Sequence, residues 1–310
     1  VERGDRARSV AHTGVTRKVV RRMPEVPVPL QAVVDACAPL KFSPLPALRA
    51  PGMSAGAGDP VADQWFRTDL MVADGEVPVL FERLTALRGR GHRLPAVTDF
   101  LRATLREPAF LVSAGTYLTR RAALLDADRL WFPWWSAGGF GTPTVTGGRT
   151  AVLADDPAAR HPSAVVCADE DELVRLAAEH MVAAFTPIID ALHAHTRVGL
   201  RTLWGWVLDT SHFYMLNPAR FLGRDAEDAW RLARALGDAL IEAGAVTRAR
   251  PRLFPFREDH PRGTWAVRGT CCFDYKGDPE HGFCTTCPLK CDNDRRDELQ
   301  EWIRNPALAP

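Results

Sequence analysis

Apolar residues recur at helical spacing through most of the chain, and the pattern changes to strand-like runs in the middle. Pro24, Pro27 and Pro29 lead from a polar, basic stretch into a first apolar segment. Residues 50–58, Ala-Pro-Gly-Met-Ser-Ala-Gly-Ala-Gly, read as a flexible loop. Helices are predicted over 60–73, 78–88, 95–106 and 109–125. Asp59-Pro60 starts the first and Pro108 opens the fourth, because proline suits the first helical position. Leu130–Trp135 then reads as a strand, with Pro133 indicating an edge position or a bend. Thr142–Thr146 and Arg149–Leu153, joined by Gly147-Gly148, have the pattern of a hairpin, and Ala164–Cys167 supplies a further strand.

Helical spacing returns in the second half. Asp169-Glu-Asp-Glu offers acceptors for free amides at a helix start, followed by Leu173, Leu176, Met181 and Phe185. Pro187 predicts a kink or restart before Ile188–Leu192, and another helix covers Arg201–Phe213. Asp225 caps an amphipathic helix through Trp230, Ala233, Leu236 and Leu240, ended by Gly244. Residues 246–268, rich in Pro and Arg, read as a linker with short strand character.

The pattern predicts an α+β fold, a helix-rich domain with a central antiparallel sheet over 25–262 and a small C-terminal module over 263–291. Residues 1–24 form a basic, disordered tail in which Met23 is an alternative start, and 292–310 form a C-terminal tail with a short helix. The net charge of +1 over 310 residues gives no basic face for nucleic acid. No apolar run approaches the roughly 20 residues of a membrane span, and no secretory signal pattern begins the chain. The expectation is a cytoplasmic protein, whose clustered cysteines bind metal or react rather than pair as disulfides.

Five of the seven cysteines fall between 271 and 291. Cys271-Cys272 is followed, after eleven residues, by Cys284-Thr-Thr-Cys287 and then by Cys291. Gathered thiolates repel one another unless a cation compensates them. Four can surround one tetrahedral zinc, or supply two ligands to each iron of a [2Fe–2S] cluster. Spacing alone favours zinc by frequency, while adjacent cysteines project apart and suit two metal atoms. Cys291 is a spare thiol or an alternative ligand. Gly277 and Gly282 allow the intervening loop to fold closely, His281 is a further ligand or a neighbour of the ligands, and Arg268, Lys276 and Lys290 offset thiolate charge. Cys37 and Cys167, in apolar surroundings, read as buried small hydrophobes.

Arg268-Gly-Thr-Cys-Cys-Phe-Asp-Tyr-Lys276 and Gly282-Phe-Cys-Thr-Thr-Cys-Pro288 resemble the C-terminal signature of the FhuF-type ferric siderophore reductases. The spacer here is one residue longer than is usual in that family. Weaker similarity extends to Thr196–Gly205 and Leu125–Trp131. The resemblance implies a cytoplasmic oxidoreductase with a [2Fe–2S] cluster on Cys271, Cys272, Cys284 and Cys287. It would pass one electron to Fe(III) in an imported siderophore, the hydroxamate type being favoured, with no catalytic residue beyond the cluster. Hard oxygen donors hold Fe(III) far better than Fe(II), so one electron loosens the chelate.

No Gly-x-Gly-x-x-Gly or P-loop motif is present, and Gly138-Gly-Phe-Gly141 reads as a turn. The electron therefore comes from outside: a ferredoxin, a flavodoxin or reduced flavin. Candidates for substrate contact are Trp134, Trp135, Arg201 and Trp204, with Trp131, Trp206 and Arg197 beside them. His193 and His195 are candidate proton donors or helix-end residues. Two other classes compete: a non-catalytic binding protein with a structural zinc site, and an iron–sulfur redox or iron sensor.

Overall fold

Proline does not end the helices of this chain where tertiary burial holds them. In a computed structural model, which describes residues 28–40, 44–50, 62–257, 260, 262–278, 280 and 282–305, the first half contains α1 (Pro29–Cys37), β1 (Ala47–Arg49), β2 (Gln64–Arg67), α2 (Thr68–Ala73), α3 (Glu76–Leu87) and α4 (Arg93–Thr119). Strands β3 (Ala122–Leu124), β4 (Leu130–Trp135), β5 (Gly139–Phe140), β6 (Thr144–Thr146), β7 (Arg149–Leu153) and β8 (Ala164–Cys167) follow. Helices α5 (Glu170–Thr196), α6 (Leu200–Phe221) and α7 (Ala226–Glu242) come next. Strands β9 (Arg252–Pro255) and β10 (Thr264–Val267) and helices α8 (Asp274–Gly277) and α9 (Asp292–Arg304) complete the described elements. The basic tail, Met23, Asp59-Pro60, most of the glycine-rich loop and His281 lie outside the described residues.

Pro108 sits inside α4 and Pro187 inside α5, so each expected break is an uninterrupted helix. An interior proline costs about 3 kcal/mol, whereas each large apolar side chain buried beside it returns about 1.5–3 kcal/mol. Leu105, Leu111 and Val112 around Pro108, and Phe185, Ile188 and Ile189 around Pro187, are fully buried. The predicted helix over 60–73 is also divided. Trp65 and Phe66 pair with Pro133 and Phe132 in β2, and α2 starts at Thr68, whose hydroxyl donates to Leu130 O at 2.9 Å.

The architecture is mixed α/β, and the expected central antiparallel sheet is three small sheets. One has the order β1-β6-β4-β2 with β5 also on β4, the second is β3-β7-β8, and the third pairs β9 with β10. The β1–β6 and β7–β8 pairs are parallel. The Gly147-Gly148 turn forms, with Gly147 at φ 63°, but β6 and β7 join different sheets. Leu30 of α1 fills the space beside the turn, where a Cβ on Gly148 would lie 2.5 Å from its Cδ2. Buried from Thr150 to Leu153, β7 takes partners on both sides rather than folding back on β6.

Strand β4 is interior, not an edge. Pro133 is accommodated because its carbonyl accepts from Gly141 N at 3.0 Å, on the side where β6 has ended and β5 begins. The missing N–H faces that gap. Where the pattern predicted α7, the fold agrees: Asp225 accepts from Glu227 N at 2.9 Å, and Gly244 ends the turn at φ 118°. Cys37 and Cys167 are buried, and burial pushes the Cys37 thiol up to about 12. Helices α4, α5, α6 and α7 enclose the main core through Phe100, Leu101, Phe185, Leu203 and Leu236. α4 and α6 extend from it to the cysteines.

Candidate thiol-rich metal centre

The segment after β10 is fixed from both helices before it reaches Cys271. Asp209 of α6 accepts from Gly269 N at 2.7 Å and from Thr270 N at 2.8 Å. Burial pushes this carboxyl up to about 7, opposed by the two amides and Arg268. Gly205 leaves room on the same helix: a Cβ there would lie 2.1 Å from Thr270 Oγ1. From α4, Thr98 Oγ1 donates to Cys272 O at 2.9 Å, and Arg102 forks onto Asp274 at 3.2 and 2.7 Å. Phe273 turns the chain at φ 62°, a left-handed value that few bulky residues adopt.

The second cysteine segment is held by α9. Arg295, fully buried, donates to Thr285 O at 2.9 Å, Cys287 O at 2.6 Å and Lys290 O at 2.9 Å, and pairs with Asp292. Glu298 accepts from Thr285 Oγ1 at 2.9 Å and pairs with Lys290. Helix α9 itself is seated by Leu299, Trp302 and Ile303 against Phe254, Phe256 and Trp265 of the β9–β10 ribbon. The two cysteine segments are tied by Arg268 N donating to Thr286 O at 2.9 Å.

This scaffold brings Cys272 Sγ within 3.9 Å of Cys284 Sγ. Two sulfurs bound to one tetrahedral metal at about 2.3 Å stand about 3.8 Å apart, so this pair has the separation of two ligands on one ion. Cys271 lies within electrostatic reach of Cys287. Backbone amides point at the sulfurs: Phe273 N lies 3.3 Å from Cys271 Sγ and Leu289 N 3.4 Å from Cys287 Sγ. Among the described residues, no group of three or more His, Cys, Asp or Glu side chains is arranged to hold an ion. Donor chemistry and spacing nevertheless fit a group that takes its thiolates in pairs. Cys291 is exposed at the N-cap of α9, and no thiol contact is described for it.

The thiols polarise one another. Hydrogen bonds from Cys271 and Cys284, with help from Asp274 N and Arg268 and against burial, hold the Cys272 thiol far below its ordinary value. The same bonds, and burial, push Cys271 and Cys284 well up. A cation at the thiols would favour ionisation of Cys271 and Cys284 as well.

Two cavities lie near this centre, neither lined by a cysteine itself. One of about 380 Å³ lies along α4 at Arg88, Arg90, Arg102, Arg106 and Glu107, closed by Phe140. The other, about 190 Å³, lies between α4 and α6 at Arg102, Arg106, Trp206, Asp209, Tyr214 and Arg268. Behind Cys271, Trp206 and Phe273 leave only about 10 Å³, too little for a ligand. A larger cleft of about 480 Å³ between α5 and α7 is lined by Asp169, Asp171, Glu172, Asp238 and Glu242 and shares no lining residue with the other three.

Trp134 and Trp204 are buried in the main core, Trp134 edge-on to Phe140, and Arg201 is exposed on the first turn of α6. Trp135 lies against Gly141, where a Cβ would come within 1.7 Å of its ring; that glycine serves aromatic packing within the turn. None of these four lines the cavities beside the cysteines. His193 bonds Val198 O at 2.7 Å and His195 bonds Glu82 at 2.6 Å, both at the C-terminal end of α5. Asp209, Arg295 and the arginines of α4 escape the pattern, although Arg102 and Arg106 share one face of α4 at i, i+4.

The chain is thus a mixed α/β protein that gathers four cysteines from two braced segments beside an arginine-lined cavity. Comparison with protein-family models, with curated proteins and with solved structures gave no match. No helix among the described residues is long and apolar enough to cross a membrane.

Proposed function

We propose that this protein is a cytoplasmic ferric siderophore reductase whose four cysteines hold a [2Fe–2S] cluster. The observation that supports this most is the approach of Cys272 and Cys284 to 3.9 Å across an eleven-residue loop, with Cys271 and Cys287 beside them. Cys272 and Cys284 would hold one iron and Cys271 and Cys287 the other. Bound there, the cluster supplies single electrons, which is the stoichiometry of Fe(III) reduction.

The chain's own residues do the rest. Amides of Phe273 and Leu289 face Cys271 and Cys287 and stabilise negative charge on sulfur. Arg268, shared between the thiols and the α4–α6 cavity, offsets the charge of the thiolates. Arg295 keeps the second segment closed around its ligands. Phe273 and Trp206 cover the apolar side of Cys271 and keep bulk water from it. An external donor (ferredoxin, flavodoxin or reduced flavin) supplies the electron.

Protein purified without reductant should be reddish-brown, with roughly two irons and two sulfides per chain. Dithionite should bleach it, and a ferric siderophore should restore the colour. A colourless protein carrying one zinc would overturn the reading in favour of a structural metal site. Bleaching without steady turnover of ferric chelate would favour a sensor.

A further inference from the structure

On that reading, we infer that the two cavities joined at Arg102 and Arg106, with Arg90, Trp206, Tyr214 and Arg268 around them, bind the chelate and select one whose oxygen donors carry net negative charge, such as a tris-catecholate, over a neutral trihydroxamate. Three observations carry this. The first is charge: together the two cavities along α4 present five arginines against three carboxylates. Asp99 pairs with Arg90 and Arg102, and Asp209 with the amides of Gly269 and Thr270; Glu107 pairs with Arg106 through Oε1, while its buried Oε2 has no partner among the described residues.

The second is unmet donor capacity. Arg106 Nε and Arg268 Nη1 are buried N–H groups with no acceptor among the described residues, and both residues line the same cavity. A guanidinium donates in a planar fork that matches paired anionic oxygens, and a buried donor without an acceptor is unfavourable. A chelate bearing charged oxygens satisfies both arginines; a neutral one supplies weaker acceptors and leaves the charge uncompensated.

The third is position. Arg268 belongs to this cavity and also lies within electrostatic reach of Cys272 and Cys284, so a ligand held by it stands beside the thiols. Trp206 likewise lines this cavity and touches the pocket behind Cys271. Aromatic faces at Trp206 and Tyr214 suit flat catecholate rings, which stack and accept from arginine. The two cavities share Arg102 and Arg106, and the larger one has the size of a small-molecule site.

Gallium(III) chelates test this without electron transfer, because gallium copies Fe(III) in size and charge but is not reduced. Calorimetric titration of the purified full chain should show a gallium tris-catecholate binding at least tenfold tighter than a neutral gallium trihydroxamate. The preference should shrink as salt rises. Arg106→Gln and Arg268→Gln should each weaken the anionic chelate about tenfold and the neutral one by less, so that the preference narrows, and Arg106→Lys should fall between, with thermal melts confirming that each variant folds. Equal or tighter binding of the neutral chelate, or anionic binding insensitive to both glutamine variants, would overturn the inference. Iron and sulfide analysis of the same samples separates the two readings. A cluster-loaded protein that prefers the neutral chelate keeps the reductase and loses the arginine site. Anionic selectivity in a protein without iron keeps the site and loses the reductase.

Discussion

Replacing Arg295 by Met removes the brace of the second cysteine segment while keeping the length of the side chain. Arg295 is fully buried and donates to three carbonyls, Thr285 O, Cys287 O and Lys290 O, of which Cys287 O also accepts from Lys290 N at 3.3 Å. A hydrogen bond from a charged donor contributes about 1.5–3 kcal/mol, and the three share one guanidinium, so the gross interaction is about 5–9 kcal/mol. Part of that is offset, because burying the cation carries its own desolvation penalty and Met fills similar volume. The net loss should be about 3–5 kcal/mol, against a total of about 5–15 kcal/mol for a domain. Urea unfolding followed by circular dichroism reads the global part. The rate at which Cys284 and Cys287 react with a chromogenic disulfide in the metal-free protein reads local opening. Arg295→Lys should restore the charge without the fork and recover less than half of the loss. Unchanged stability together with unchanged thiol reactivity in Arg295→Met would refute the bracing role.

Gly205→Ala should destabilise by about 1–3 kcal/mol, since its Cβ would meet Thr270 Oγ1 at 2.1 Å, and adding Thr270→Ala should recover part of it in thermal melts. His212 is held neutral by burial, which lowers its value from 6.5 to about 4. The unfolded chain binds this proton below pH 6.5 and the folded chain does not until about 4, so the stability from His212 is complete above 6.5 and is lost as pH falls through that window. His212→Gln should lessen the acid sensitivity by up to about 3 kcal/mol between those limits; parallel stability–pH curves for variant and parent would contradict it. Cys272→Ser should abolish bound metal, while Cys291→Ser, altering an exposed thiol outside the paired set, should retain the full metal content by elemental analysis.

The parts of the fold legible in the sequence are those governed by local rules. Asp225 and Gly244 mark α7 because capping is decided within one turn. The cysteine pairs announce themselves because thiols are rarely placed together without chemical need. What local rules misjudge is what distant segments decide. Pro108 and Pro187 look like breaks until the burial around them is counted, and Gly147-Gly148 looks like a hairpin until Leu30 occupies the space beside it. The substrate candidates Trp134 and Trp204 are aromatic core residues. The residues that do border the centre, Arg102 and Arg106, resemble an ordinary solvated helix face in sequence. Arg295, in a helix dense with charge, carries no local mark of its complete burial.

The place of Arg295 along the chain sets an order of events during synthesis. All four paired cysteines leave the ribosome before it does, because it follows Cys287 by eight residues. Until α9 has emerged and docked on the β9–β10 ribbon, Thr285, Cys287 and Lys290 lack their common donor, and the segment between them is held only by its own turn bonds and by Arg268 N on Thr286 O. The nascent protein therefore presents its thiols in an open form first and a closed form later. A metal taken up by these thiols would have its easiest entry in that interval, and the arrival of one helix afterwards would act as the latch.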